Sequence, residues 1–330
     1  MRFSQSDVAQ WREQGFALRP RFLTQAEIAP VLDDFAVLYR ERGKGPGVGQ
    51  VLDVKRPGQV GASHLLQFQN IDTLPYNASS AINLISLHPA VIEFAQALLG
   101  VPKVHLYQSH TWAKYTGEAD YDQAFHCDFG NHTLTVPADD VALRTVDFVL
   151  YLTDVTDGHG ALHYVTKPDS DALLGPGAVL APAELQQALK QKERSAAAPA
   201  GSLLAHGIDT FHRGTNLTAP NGHRFTMTFG YKAAGNDMIG FHVWQSAVNR
   251  PWQLVLNHAS PSQLECLGVP APGDPFWTPR ALKLTQARWP EWDMQAYFAG
   301  AASSTRGIHP AAPVPRLASP APGGSVGTKR

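Results

Sequence analysis

The stretch KVHLYQSHTWAKY at residues 103–115 opens a series of short β-like runs, and this series decides the fold prediction. The later runs are parted by clusters of Gly, Asn, Asp and Pro, and they lie at 121–127, 143–152, 161–165, 201–206 and 224–231. Short runs at this density are typical of an antiparallel sandwich or barrel rather than of βαβ units. One helix, around AELQQALKQKER, interrupts the series. We therefore predict an antiparallel β core.

Helices are predicted on both sides of this core. Residues 5–14, 24–42 and 88–99 have apolar side chains at helical spacing, and a glycine follows the third of these segments in the helix-ending position. Short helices are expected again over 261–299. The segment GKGPGVGQVLDVKRPGQVG at 43–61 is rich in Gly and Pro, so it is predicted to be an irregular loop, either a lid or a connector.

The chain is expected to form a single domain over residues 1–300. Its parts are a helical N-terminal cover over 1–100, a β core over about 101–232 and a helical C-terminal cap over 233–300. From 301 to 330, 19 of 30 residues are Ala, Pro, Ser or Gly. Such a composition cannot bury enough surface to order itself, so we predict a disordered tail.

The composition excludes several classes of protein. With 27 Lys and Arg against 28 Asp and Glu, the net charge of −1 gives no basic field for nucleic acid or anionic membrane. Two cysteines are too few for a disulfide framework, and neither a signal peptide nor about 18 uninterrupted apolar residues is present. We predict a cytoplasmic monomer or homodimer that acts on a small molecule and has no nucleic-acid or membrane partner.

The densest chemical signal is the segment AFHCDFGNH. On a strand, His126 and Asp128 would project from the same face, so one imidazole and one carboxylate can meet one metal. The segment SLLAHGIDTFHRGTN offers His206 or His212 as the second histidine. Two histidines and one carboxylate leave three open positions on an octahedral metal, as in non-haem Fe(II) oxygenases.

Arg224 follows His212 closely enough for a strand–turn–strand connection to bring its guanidinium to a dicarboxylate bound beside the metal. The plainer alternative is that His126 and Asp128 form a hydrogen-bonded pair on a barrel strand. In that alternative Arg224 is a surface ion-pair partner.

The order of these motifs resembles a known family. The pattern HxD, then H-x-G-x-N and then Arg224, is similar to the phytanoyl-CoA dioxygenase family of Fe(II)/2-oxoglutarate enzymes, which includes ectoine hydroxylase. Three further segments carry the resemblance over about residues 1–300: DVAQWREQGFALRPRFLTQAEIAPVLDDF, YLTDVTDGHGALHYV and ARWPEWDMQAY.

The resemblance implies a mainly β protein with flanking helices, in which the core is a double-stranded β-helix, a jelly-roll or cupin-like barrel. It implies that the catalytic residues His126, Asp128 and His212 hold Fe(II), and that Arg224 pairs with the distal carboxylate of 2-oxoglutarate. The predicted reaction hydroxylates an unactivated C–H bond of a small molecule, or of an acyl- or carrier-linked metabolite, with O2 consumed and succinate and CO2 released. The alternative is a cupin-like metal- or ligand-binding barrel without oxygenase activity.

Further site residues follow from the same resemblance. Gln108 matches a position that contacts 2-oxoglutarate in ectoine hydroxylase, and Lys114 and Trp112 are candidates for the same cavity. Tyr151 and His163 are candidates for the substrate pocket. Many members carry a Pro-Gly-Ser-His turn where this chain reads TKPDS, so the resemblance does not transfer a substrate.

Overall fold

A computed structural model of the chain describes residues 2–39, 68–71, 74–115, 122–133, 136–219, 222–240 and 251–304. Within these ranges the helices are α1 (Gln5–Gln14), α2 (Gln25–Leu38), α3 (Ser80–Ile85), α4 (Pro89–Leu99), α5 (Lys167–Leu174), α6 (Gln186–Lys190), α7 (Gln253–Leu256), α8 (Pro261–Glu265), α9 (Pro279–Arg288) and α10 (Gln295–Ser304). The strands are β1 (Phe16–Arg19), β2 (Phe68–Ile71), β3 (Val104–Tyr115), β4 (Thr145–Tyr151), β5 (His163–Tyr164), β6 (Arg194–Ser195), β7 (Leu203–His206), β8 (His212–Arg213) and β9 (His223–Ala233).

The strands form two antiparallel sheets. The larger has the order β1-β7-β4-β9-β3-β2, and the smaller has the order β6-β5-β8. Side chains from both sheets meet in one buried apolar cluster, which includes Val149 and Leu204 of the larger sheet and Tyr164 of the smaller. The sheets therefore pack face to face, as in a sandwich whose inner faces share a core.

The larger sheet has an apolar outer face and a more polar inner face. Along β4, Val146, Phe148 and Leu150 join the main core on the outer side, where Phe148 packs against Phe94 of α4. Side chains alternate between the two faces of a strand. Asp147 and its alternate neighbours therefore point inward, toward the smaller sheet.

A register shift in β3 alters this alternation at one point. The pairing of β3 with β9 shifts between Leu106 and Gln108. A β-bulge of this kind re-aims side chains, and here both Tyr107 and Gln108 reach Asp147 on the inner face. The bulge therefore adds one more polar side chain to the space between the sheets.

The N-terminal helices begin and end where their sequences contain capping residues. Ser4 and Asp7 form a capping box at the start of α1, and Thr24 and Glu27 form one at the start of α2. At the end of α4, Gly100 has a positive φ of 70°, a left-handed conformation that favours glycine. These local signals define the ends of the helices, and apolar side chains such as Phe94 pack α4 against the outer face of the larger sheet.

Residues 80–99 are long and apolar enough to cross a membrane by length and composition, with a mean hydropathy of 1.4. The buried side of this segment nevertheless belongs to the main core, through Ile82, Phe94 and Leu98 among others. The core helix of a soluble protein passes the same test, so one such segment, here comprising α3 and α4, is weak evidence for a membrane span.

The predicted antiparallel β core is confirmed, but the description of the protein as mainly β is wrong. In the described ranges helices hold more residues than strands, because the N-terminal and C-terminal flanks are helical. Of the expected run at 121–127, the described residues 122–127 form no strand, although His126 makes an isolated bridge to His212. The segment 43–61 lies outside the described residues. Helix α10 extends to Ser304, past the start of the tail predicted at 301. The remainder of that tail, 305–330, also lies outside the described residues.

Candidate metal centre

Two histidines that lie far apart in the sequence are joined through the backbone. His126 N–H donates to the His212 carbonyl at 3.0 Å, and His212 N–H donates to the His126 carbonyl at 3.0 Å. Opposite residues of an antiparallel pair project from the same face. The two imidazole rings accordingly lie side by side, with their centroids 4.7 Å apart.

Backbone carbonyls set the orientation of both rings. His126 Nδ1 lies 2.9 Å from the Ala124 carbonyl oxygen, and His212 Nδ1 lies 3.0 Å from that of Thr210. A carbonyl only accepts, so Nδ1 carries the proton in each ring and the lone pair is on Nε2. Histidines that bind metals through Nε2 are commonly oriented by this kind of hydrogen bond.

The Asp128 carboxylate faces both of these Nε2 atoms. Its Oδ1 lies 3.5 Å from His126 Nε2, and its Oδ2 lies 3.3 Å from His212 Nε2. The potential ligand atoms of the three residues all lie within 4.8 Å of one another. This is the two-histidine, one-carboxylate donor set that the sequence predicted to converge.

Strand alternation does not explain how Asp128 reaches this position. Asp128 is the first residue of a short 3₁₀ turn, Asp128–Asn131, that leaves the bridge formed by His126. Phe129 N–H donates to the Ile208 carbonyl, which anchors the turn beside the 206–212 segment. Cys127 packs between them against an apolar cluster that contains Phe125 and Phe211.

The close packing of these groups shifts their acid–base equilibria. Burial alone would raise the pKa of the Asp128 carboxyl, but the imidazoles of His212, His126 and His206 hold that pKa well below its usual range. Burial alone would lower the pKa of His212, and the Asp128 carboxylate raises it above its usual value. The centre therefore holds an ionised carboxylate that favours a positive charge beside it.

His206, the alternative second histidine, lies next to the centre without belonging to the cluster of potential ligands. Its Nε2 is 3.9 Å from Asp128 Oδ2, and its Nδ1 is 3.1 Å from the Tyr164 hydroxyl. The ring is buried and lies 4.9 Å from that of His212. Of the two histidines that the sequence offered, His212 is the one whose Nε2 faces His126 and Asp128.

Lys114 and Arg224 are brought together on the inner face of the larger sheet. They are register partners on β3 and β9, and both are buried. Lys114 Nζ donates to the Thr215 carbonyl, and Arg224 Nη1 donates to the Gly160 carbonyl. Two adjacent buried cations form a strongly positive pair, which suits a carboxylate ligand.

Gln108 and Trp112 lie on the same face of β3, and each is tied to a neighbour. Gln108 Nε2 donates to Asp147 Oδ1 at 2.6 Å and to the Tyr107 hydroxyl at 3.2 Å, which orients its amide. Its carbonyl oxygen accepts from His110 Nε2 at 3.0 Å. Trp112 Nε1 donates to Thr228 Oγ1 at 3.1 Å. Gln108 is therefore held inside a hydrogen-bond network.

The residue at the centre of that network was not predicted from the sequence. Asp147 is 1% exposed, and it accepts from the Tyr107 hydroxyl at 2.7 Å and from Thr145 Oγ1 at 2.9 Å, besides Gln108. His132 Nδ1 in turn lies 2.8 Å from the Tyr107 hydroxyl. The signal was present in TVDFVLY, where one acidic residue interrupts an apolar strand. Such a residue must find donors once it is buried.

The two candidates for the substrate pocket are placed differently. His163 does not face the inner space: it is paired with Arg213 across the smaller sheet, and its ring contacts Glu193 at 3.2 Å and Asp157 at 3.4 Å. In β5 its neighbour Tyr164 has the inward orientation, and the assignment of His163 to the substrate pocket stays a prediction. Tyr151 does lie inside, where its hydroxyl donates to the Ala196 carbonyl at 2.9 Å.

Solved structures share this architecture at low sequence identity. The epimerase SnoN from nogalamycin biosynthesis, in complex with Fe3+, alpha ketoglutarate and nogalamycin RO, has a TM-score of 0.52 and 18% identity, and the match covers 70% of this chain and 83% of that chain. The carbocyclase SnoK from the same biosynthesis has a TM-score of 0.51 and 19% identity, with coverage of 70% and 85%. AviO1 from Streptomyces viridochromogenes Tue57 has a TM-score of 0.51 and 16% identity, with coverage of 71% and 97%. These likenesses show the fold, in which antiparallel sheets with flanking helices form the jelly-roll architecture of such proteins.

Sequence comparison identifies the family. No curated protein matches the chain significantly. The sequence model of the phytanoyl-CoA dioxygenase (PhyH) family, however, matches residues 11–221, which is more than half of the chain. Fe(II), 2-oxoglutarate and O2, the predicted cofactors, are those that this family uses. The chain belongs to the phytanoyl-CoA dioxygenase family of Fe(II)- and 2-oxoglutarate-dependent enzymes.

Proposed function

We propose that this protein is a 2-oxoglutarate-dependent dioxygenase that hydroxylates an unactivated C–H bond of a small molecule or of an acyl- or carrier-linked metabolite. The observation that carries the proposal is the convergence of His126, Asp128 and His212 within 4.8 Å, with both imidazoles presenting Nε2. Membership of the family supports the same cofactors. The partner is a small-molecule substrate, acted on in the cytoplasm by a monomer or homodimer, with no nucleic acid or membrane involved.

The donor set fits Fe(II). Two neutral imidazoles and one carboxylate form the facial triad of non-haem iron oxygenases, which leaves coordination positions for a cosubstrate and oxygen. The Asp128 carboxylate already favours a positive charge beside it, so it would also favour a divalent cation at this position. His126, Asp128 and His212 are thus the residues that would hold the iron.

The buried cations fit the other end of 2-oxoglutarate. Arg224 presents a planar fork that matches a carboxylate, and Lys114 adds a second positive charge beside it. Arg224 donates to the Gly160 carbonyl and Lys114 donates to the Thr215 carbonyl, which fixes the direction of both side chains. We assign the distal carboxylate of 2-oxoglutarate to this pair, with Gln108 and Trp112 in the same cavity.

When bound, the iron would use O2 and 2-oxoglutarate to oxidise a substrate C–H bond to C–OH, with release of succinate and CO2. The protein contributes orientation. Backbone carbonyls hold His126 and His212 in one tautomer, and the cation pair fixes which end of the dicarboxylate points away from the centre. Asp128 occupies the ligand position that a halogenase would leave to halide, which supports hydroxylation.

The test is an anaerobic titration of the protein with Fe(II) and 2-oxoglutarate, followed by the visible charge-transfer band of the iron–2-oxoglutarate chelate. We expect the band in the wild type and not in His126→Ala. His163→Ala is the matched control, because His163 lies on the outward side of the smaller sheet and should leave the band unchanged. A wild-type protein that gives no band and releases no succinate would overturn the proposal.

The same titration separates the oxygenase from a cupin-like barrel that binds a metal without oxygen chemistry. In such a barrel Arg224 has no cosubstrate to hold, so Arg224→Ala would titrate like the wild type. For an oxygenase we expect the variant to bind Fe(II) as before and to require much more 2-oxoglutarate for the band.

A further inference from the structure

His206 has a buried ring nitrogen that points at the metal centre. The side chain is 3% exposed, and Nε2 has no hydrogen-bond partner at normal distance among the described residues. The nearest acceptor is Asp128 Oδ2 at 3.9 Å. A buried polar atom without a hydrogen-bond partner lowers the stability of the folded protein. The proposed function assigns no role to this nitrogen, so its position needs an explanation.

Tyr164 determines which nitrogen of His206 carries the proton. Its hydroxyl lies 3.1 Å from His206 Nδ1 and has no other acceptor among the described residues. A phenol has a single proton, and it donates that proton to an available acceptor. Nδ1 therefore accepts, and Nε2 is the protonated nitrogen. His206 is in the opposite state to His126 and His212, whose Nδ1 protons leave Nε2 free to bind a metal.

A bound metal would change the hydrogen bonding of Asp128. The described side chains around its carboxylate are the imidazoles of His126, His212 and His206. Once the Nε2 lone pairs of His126 and His212 are used for a metal, neither ring can donate to the carboxylate from that side. The Nε2–H of His206 is then the remaining donor for the carboxylate oxygen that the metal does not take.

We propose that His206 is a positioning residue that donates from Nε2 to the Asp128 carboxylate, with Tyr164 holding the imidazole in the required tautomer. The proposal rests on the assignment of His126, Asp128 and His212 as metal ligands. It explains how Asp128, which is on a short 3₁₀ turn and not on a strand, keeps its carboxylate aimed at the centre. Partners of this kind typically change metal affinity by about ten- to a hundredfold.

The test measures metal affinity with Co(II) alone, followed by its visible absorption under anaerobic conditions. His206→Phe keeps a ring of similar size without a donor, and we expect it to weaken Co(II) binding by about ten- to a hundredfold. His206→Asn restores an N–H donor and should recover part of the loss. Asp128→Ala marks the effect of losing a ligand outright.

A second pair of variants tests the role of the phenol. Tyr164→Phe removes the donor that fixes the tautomer of His206, and we expect a smaller loss of Co(II) affinity. Tyr151→Phe is its matched control, because it removes another buried hydroxyl from the same apolar cluster, one that donates to the Ala196 carbonyl. The thermal unfolding midpoint of each metal-free variant shows whether it is folded. If His206→Phe does not fold, the Co(II) affinity of Tyr164→Phe is used to test the proposal.

The outcomes are distinct. A wild-type protein that binds no Co(II) overturns the proposed function and this inference with it. If the wild type binds Co(II) and His206→Phe binds it equally well, the inference fails and the proposed function stands. If His206→Phe abolishes binding as completely as Asp128→Ala, with a changed Co(II) spectrum in His206→Asn, then His206 is a ligand and the positioning role is wrong.

Discussion

The two faces of the larger sheet differ sharply in chemistry although they belong to the same strands. On the outer face, Phe148, Met227 and Phe229 pack with the helices in the main apolar core. On the inner face, Asp147 and Arg224 are buried, and both make hydrogen bonds to polar groups. The outer face can stabilise the fold through burial alone, whereas the inner face must satisfy every polar atom that it buries. Substitutions on the two faces should therefore separate stability from ligand binding.

The largest effect is expected on the outer face. Phe148 is completely buried against Phe94 and Phe229, so Phe148→Ala should lower the free energy of unfolding by about 3–5 kcal/mol. Chemical denaturation followed by circular dichroism measures this loss. The remaining folded protein should bind Co(II) like the wild type, and a matching loss of metal affinity would break the distinction between the faces.

A substitution on the inner face should instead reduce ligand affinity more than it reduces stability. Arg224→Ala should weaken 2-oxoglutarate binding by about ten- to 150-fold, equivalent to about 1.5–3 kcal/mol for a charged hydrogen bond. Calorimetric titration in the presence of Co(II) measures the change. Arg224→Lys keeps the positive charge without the planar fork of the guanidinium. Its affinity for 2-oxoglutarate should lie between those of the wild type and Arg224→Ala. Equal affinities in all three proteins would contradict the assignment of the cation pair to the cosubstrate.

Gly230 tests whether the inner face also limits stability. A Cβ at this position would collide with Asp147 Oδ1 and with the ring of Tyr107. Gly230→Ala should therefore lower the free energy of unfolding by about 1–3 kcal/mol through overpacking. Gly130→Ala is the control, because a Cβ there meets no atom within 4 Å. Similar denaturation midpoints for the two variants would show that the hydrogen bonds around Asp147 can rearrange around the added methyl group with little loss of stability.

The smallest effect is expected at the periphery, away from both faces. Hydrogen bonds from Arg2 at 2.7 and 2.8 Å lower the pKa of Glu27 far below its usual value. Ionised Glu27 therefore stabilises the folded state above the unfolded-state pKa of about 4.3, and this contribution is lost as the pH falls toward the folded-state pKa. Because the pair is partly exposed, Glu27→Gln should reduce the difference in stability between pH 7 and pH 3 by at most about 1 kcal/mol. Parallel denaturation curves at the two pH values provide the measurement, and an unchanged difference would contradict it.

Local signals made much of the fold predictable. The apolar spacing of α4 and the glycine after it define that helix, and the runs at 103–115 and 224–231 became β3 and β9 almost residue for residue. The run at 121–127 was not predictable in the same way. Its segment is held by one bridge to His212 and by a 3₁₀ turn, and both depend on contacts with residues far away in the chain.

The candidate site was predictable where a motif fixed it. His126 and Asp128 of HxD do converge with the histidine of H-x-G-x-N, and Lys114 does lie beside Arg224. The sequence could not show that Asp147 collects three donors, because the bulge that turns Tyr107 inward is a property of the paired strands. It also could not show which of His163 and Tyr164 faces inward, since a two-residue strand has too short a pattern to reveal its register.

The reciprocal backbone hydrogen bonds between His126 and His212 also constrain how the protein is made. During synthesis on the ribosome, residues 122–133 emerge before β8, so a nascent chain that stops short of residue 212 contains two of the three proposed ligand residues and no complete centre. With the proposed ligands, iron would bind tightly only after β8 has paired. A metal bound by the proposed ligands would cross-link two distant segments of the chain and so stabilise the folded state in which the smaller sheet has assembled.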